Sequence, residues 1–144
     1  MKSFKYRPIV FILFFVFSGI LPVISSWADP LDNWTERDSG TISNLNAITY
    51  GNGMFVAVGS SGRIIPSPYG TNWTTRSSGT SASLYDVTYG NGTFVAVGYG
   101  GRFVRSTNGI NWTYLHPYPE ISLPVYGITY GNGLFVAVGY WDLV

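Results

Sequence analysis

The chain has 144 residues, eight Lys and Arg against seven Asp and Glu, and no cysteine. Without Cys there is no disulfide, no thiolate ligand or nucleophile, and no acylation site for a lipoprotein. A near-neutral chain with no basic stripe has nothing to set against a phosphate backbone, so nucleic acid is excluded as a partner.

The N-terminal MKSFKYR places Lys2, Lys5 and Arg7 ahead of the apolar run PIVFILFFVFSGILPVI, and Ser26-Trp27-Ala28 puts small residues where a signal peptidase reads. This predicts a secretory signal peptide over residues 1–28, cleaved after Ala28, and a periplasmic or extracellular protein. As a membrane anchor the run is short, and Ser18, Gly19 and Pro22 interrupt it. Cleavage removes both lysines and leaves five Arg against seven acidic residues, a balance of −2 over residues 29–144. That length suits one small domain held by packing alone.

NWTERDSG at 33–40 reads as a lone outer strand. Then ITYGNGMFVAVG at 48–59 returns as VTYGNGTFVAVG at 87–98 and ITYGNGLFVAVG at 128–139. Tyr50, Tyr89 and Tyr130 are spaced by 39 and 41, and Trp34, Trp73 and Trp112 by 39 and 39, a period in the range of propeller blades. Asn52-Gly53, Asn91-Gly92 and Asn132-Gly133 each stand between apolar, β-rich runs, and Asn-Gly supplies the two positive φ angles of a type I′ hairpin. FVAVG is apolar at consecutive positions, as in a strand covered on both faces, with Ala57, Ala96 and Ala137 where a neighbouring sheet comes close. Turn residues then lead to RIIPS or RFVRS, and YGTN or TNGIN leads to WTTR or WTYL.

The expected class is therefore all-β: antiparallel four-stranded propeller blades near 45–83, 84–124 and 125–144, forming one partial propeller over 29–144. The turns predict strands near 45–51, 54–59, 62–67, 72–77, 84–90, 93–98, 102–106, 111–115, 125–130 and 133–139. Phe55, Phe94 and Phe135 are expected to lie buried between sheets. Repetition is a packing requirement, because each blade buries its faces against copies of itself.

SPYGTNW at 67–73 and STNGINW at 106–112 resemble the Asp-box of sialidase-type propellers, although Tyr69 and Asn108 stand where that family prefers Asp and the Gly-to-Trp spacing is one residue shorter. With the FVAVG hairpins, residues 33–144 resemble the exported propellers related to photosystem II assembly and stability factors. That resemblance implies a non-catalytic, assembly-factor-like module that binds a protein on its rim or top face. The Asp-box-like turns and an aromatic content of 17% motivate a second reading, a carbohydrate-binding or glycoside-hydrolase-like propeller. The count is about two and three-quarter blades where closed propellers have about four to eight. It predicts a truncated propeller that self-associates through its open blade faces, and a third reading, a truncated frame with no function.

The ligand-binding candidates are Asp86, Trp73 and Trp112. An indole face suits a pyranose ring, but identical phase in every unit favours packing, with the indole N–H on a turn carbonyl. The repeated tyrosines read the same way. Asp86 stands out because its equivalents are Ala47 and Gly127, placing an unrequired acid at the channel or at a blade interface. Arg37 and Arg76, like Arg63 and Arg102, recur in phase and read as rim or turn contacts. The sequons at Asn33, Asn72, Asn91 and Asn111 read as turn Asn before strand Thr. His116, the one histidine, stands with Glu120 in HPYPEISLP, too few ligands for a metal site and too few partners for a catalytic triad. No catalytic residue, metal or cofactor is assigned.

Overall fold

Three Asn-Gly turns set the register of the molecule. In the computed structural model, which describes residues 34–115 and 122–140 and the backbone of 9–12, Asn52, Asn91 and Asn132 have φ of 48°, 46° and 49° and the following glycines 72°, 74° and 82°. Both central residues are thus left-handed, as a type I′ turn requires. Each turn joins an inner hairpin: β3 (Leu45–Gly51) with β4 (Met54–Gly59), β6 (Leu84–Gly90) with β7 (Thr93–Gly98), and β10 (Val125–Gly131) with β11 (Leu134–Gly139). The fixed register puts Tyr50 opposite Phe55, Tyr89 opposite Phe94 and Tyr130 opposite Phe135, with ring centroids 4.6, 4.6 and 4.7 Å apart.

Single turns of 3-10 helix at Ser60–Gly62 and Tyr99–Gly101 lead from the first two hairpins into β5 (Ile64–Ser67) and β8 (Phe103–Ser106). The second unit is a full four-stranded antiparallel sheet, completed by β9 (Thr113–Leu115). The first has three strands, and the fourth strand expected at 72–77 is reduced to one bridge between Ile64 and Arg76. The strand expected to stand alone, β2 (Thr35–Asp38), is instead paired antiparallel with β1 (Ile9–Ile12), inside the apolar run of the expected leader. The predicted cleavage site and the His116–Glu120 segment lie outside the described residues.

Successive sheets stack face to face around the inner strands β3, β6 and β10, which neighbour one another in that order. The core lies between the first two sheets, where Val56, Val58 and Ile64 meet Leu84, Val87, Phe94, Ala96 and Val104. A second cluster joins Val95 and Val97 to Val125 and Ile128. Burial therefore depends on a neighbour, not on sequence alone. Of the three phenylalanines expected inside, Phe94 is fully buried, Phe55 is half-buried and Phe135 is exposed, because among the described residues nothing packs on β11 from outside. Ala57 and Ala96 are buried, whereas Ala137 is exposed for the same reason.

Candidate functional site

The rim between the first and second sheets holds an open cleft of about 360 Å³, lined by Arg76, Ser77 and Gly79 from one unit and Ile110, Asn111 and Trp112 from the next. Its geometry begins in the turn after β8. Ser106 Oγ accepts the N–H groups of Asn108 and Gly109, at 3.3 and 2.9 Å, and donates to Asn108 Oδ1 at 3.1 Å. Asn108 Oδ1 then accepts the N–H groups of Ile110 and Asn111, both at 2.9 Å. A side-chain acceptor two residues into the turn has replaced the missing backbone partners, the usual reason for Asn or Asp there. This fixes Trp112, whose Nε1 donates to Gly109 O at 3.1 Å and whose ring packs 6.3 Å from Phe94.

Opposite Trp112 stands Arg76. Its backbone N–H is used by the bridge to Ile64 O, at 2.9 Å, but its Nε is buried with no hydrogen-bond partner among the described residues. The other arginines of the turns are engaged: Arg63 donates to Ser43 Oγ and Thr75 Oγ1, and Arg102 to Tyr114 Oη at 3.1 Å while its guanidinium lies over the Tyr114 ring. Burying an unpaired guanidinium nitrogen costs free energy, while the Arg76 side chain lines the open cleft. The cleft therefore offers a cation beside a half-buried aromatic, suited to a planar carboxylate.

The three sequence candidates do not converge. Trp112 lines the cleft. Trp73 is half-buried in the preceding unit with its Nε1 unpartnered among the described residues, and it does not line this cleft. Asp86 sits at the interface of the second and third sheets, where Oδ1 accepts Val87 N–H at 2.8 Å and Oδ2 accepts Ile128 N–H at 2.7 Å. Those bonds clasp two blades together. Sequence reasoning missed Arg76 as distinctive, because it repeats Arg37 in phase and only the fold places Arg76 in a cleft with Trp112. No group of three or more His, Cys, Asp and Glu that could hold a metal occurs among the described residues.

Comparison with known proteins gives the architecture a precedent. The solved structure of YCF48 bound to D1 peptide superposes with a TM-score of 0.53 at 15% identity, over 79% of this chain and 46% of that one. The chain is an all-β, propeller-like assembly of antiparallel sheets, a partial propeller. It spans about half the length of that solved relative. No family model matches the sequence, and no curated protein matches it.

Proposed function

We propose that this protein is an exported, non-catalytic propeller module that binds a protein, taking an acidic side chain of an extended partner segment into the cleft between Arg76 and Trp112. The observation that carries the reading is that Arg76, whose Nε has no hydrogen-bond partner among the described residues, lines one open cleft with the fixed indole of Trp112. A carboxylate is the complementary group, since a guanidinium can donate two parallel hydrogen bonds to its oxygens and the indole excludes water from one side. The similar architecture of YCF48, solved with a D1 peptide, supports a peptide as the class of partner. The glycan reading draws less support, because Trp73 and Trp112 are both half-buried and Trp112 spends its N–H on Gly109. Export rests on the Lys-Arg, apolar and Ser-Trp-Ala order of residues 1–28.

The test is a titration of the purified protein with pentapeptides identical but for a central Glu or Gln, followed by tryptophan fluorescence and calorimetry. Glu peptides are expected to bind more tightly, and Arg76→Gln to erase the difference while leaving the fold intact. Equal binding of Glu and Gln peptides, or an unchanged preference in Arg76→Gln, overturns the proposal.

A further inference from the structure

The contact between neighbouring blades follows one recipe, used twice. The ring of Tyr89 lies on Gly51 and the ring of Tyr130 on Gly90, so closely that a Cβ at either glycine would fall within the ring. Beside them, Val56 and Val58 pack on Leu84 and Val87, and Val95 and Val97 on Val125 and Ile128. Polar bonds cross each seam: Asn46 Nδ2 donates to Leu84 O at 2.7 Å and Asn52 Nδ2 to Thr107 O at 3.4 Å across the first, and Ile128 N–H donates to Asp86 Oδ2 at 2.7 Å across the second.

The same recipe stands half-made at both ends of the row. At the leading face, Tyr50 is 58% and Ile48 48% exposed, whereas their equivalents Tyr89 and Val87 are packed. At the trailing face, Val136 and Val138 are 53% and 63% exposed, whereas Val95 and Val97 are buried. Gly131, the equivalent of Gly51 and Gly90, has nothing within 4 Å of where a Cβ would stand. One face lacks a tyrosine and the other has a tyrosine with no glycine beneath it.

We infer that these two faces meet between two copies of the chain, Tyr50 of one copy lying on Gly131 of the other and Leu45 and Ile48 covering Val136 and Val138. The occupant is argued from continuity with the internal seams: the residue types at each face are those that already pack twice within the molecule. Apolar side chains left in water at both faces supply the driving force. A heterologous contact of this kind closes when its rotation completes a circle. Each copy offers both faces, so two copies that each cover the other's form the smallest closed set. By the repeat, β10 and β11 hold the inner two positions of a blade, and β2, equivalent to β9, holds the outermost.

Sedimentation velocity on the secreted protein, studied at micromolar concentration, tests this. The expected mass is twice that of one chain. Gly131→Leu fills the tyrosine's place from a position where a Cβ has nothing within 4 Å in its own copy, and Tyr50→Ser removes the ring from the opposite face; each is expected to give single chains with an unchanged β-sheet circular dichroism spectrum. Mixing the two variants restores one intact contact, Tyr50 of one on Gly131 of the other, and is expected to restore a pair. If Gly131→Leu does not fold, Tyr50→Ser, a change at an exposed side chain, carries the test. A wild-type chain that sediments as a single copy, or pairs that persist in both variants, overturns the inference.

Discussion

Asp86 accepts the backbone N–H of Ile128 at 2.7 Å, across the seam between the second and third blades, while its other oxygen holds Val87 N–H at 2.8 Å. Both donors sit in inner strands, so the carboxylate ties β6 to β10. Its equivalents are Ala47 and Gly127, and the seam between the first two blades uses Asn46 in place of an acid.

The first prediction concerns that clasp. Asp86→Ala leaves Ile128 N–H without its acceptor, at a cost of about 1.5 to 3 kcal/mol for a partly buried bond to a carboxylate. Asp86→Asn keeps an acceptor and is expected to lose less. Urea denaturation measures both, and peptide affinity should stay at the wild-type value in either variant that remains folded.

A second prediction tests the ring-on-glycine seam inside one chain. A methyl at position 90 collides with the Tyr130 ring, so Gly90→Ala is expected to destabilise by about 1 to 3 kcal/mol, as overpacked sites do. In a Tyr130→Ala background the collision is gone, and the added methyl should cost under about 0.5 kcal/mol. A double-mutant cycle by denaturation reads the coupling directly. Additive effects would mean that the seam has room to relax.

How much of this was legible beforehand varies from element to element. The bounds of β3, β4, β6 and β7 are those the Asn-Gly turns predict, because a type I′ turn leaves no freedom in register. The Trp112 N–H on a turn carbonyl was legible from the usual need of a buried indole, whereas Trp73, expected to do the same, has its Nε1 unpartnered among the described residues. Phe135 was not, for its letters match those around Phe94 and only the neighbour differs. Arg76 was equally hidden: its repeat phase is ordinary, and its unpartnered Nε is a product of tertiary packing.

The third prediction follows from Phe94 and Phe135. Phe94→Ala empties a fully buried aromatic site and is expected to cost about 3 to 5 kcal/mol. Phe135→Ala, at a ring 39% exposed, is expected to cost clearly less under conditions where the protein is a single chain. Chemical denaturation of the two variants side by side compares them, and equal losses would mean that the third hairpin is covered in solution.

The last prediction turns on why the first blade lacks its fourth strand. In the second blade Asn108 Oδ1 holds the N–H groups of Ile110 and Asn111, the turn is fixed, and the chain leaves it through Trp112 into β9. In the first blade Tyr69 stands at the equivalent position, exposed, with no side-chain acceptor to offer those donors. The consequences are visible on either side: Ser67 Oγ and Trp73 Nε1 are both buried without partners among the described residues, and the segment is held to β5 by the amides of Thr74 and Arg76 without forming a strand. Tyr69→Asn supplies the missing oxygen at a turn whose next residue, Gly70, already has the left-handed φ of 67° that Gly109 shows at 71°. Each hydrogen bond gained contributes about 0.5 to 1.5 kcal/mol, so the variant is expected to be more stable by about 1 kcal/mol. Asn108→Ala is expected to lose a similar amount. Hydrogen exchange gives the sharper reading, because a formed fourth strand protects the amides at 74 and 76, which bond to Pro66 O and Ile64 O. If Tyr69→Asn leaves their exchange and the denaturation midpoint unchanged, the acceptor is not what separates the two blades.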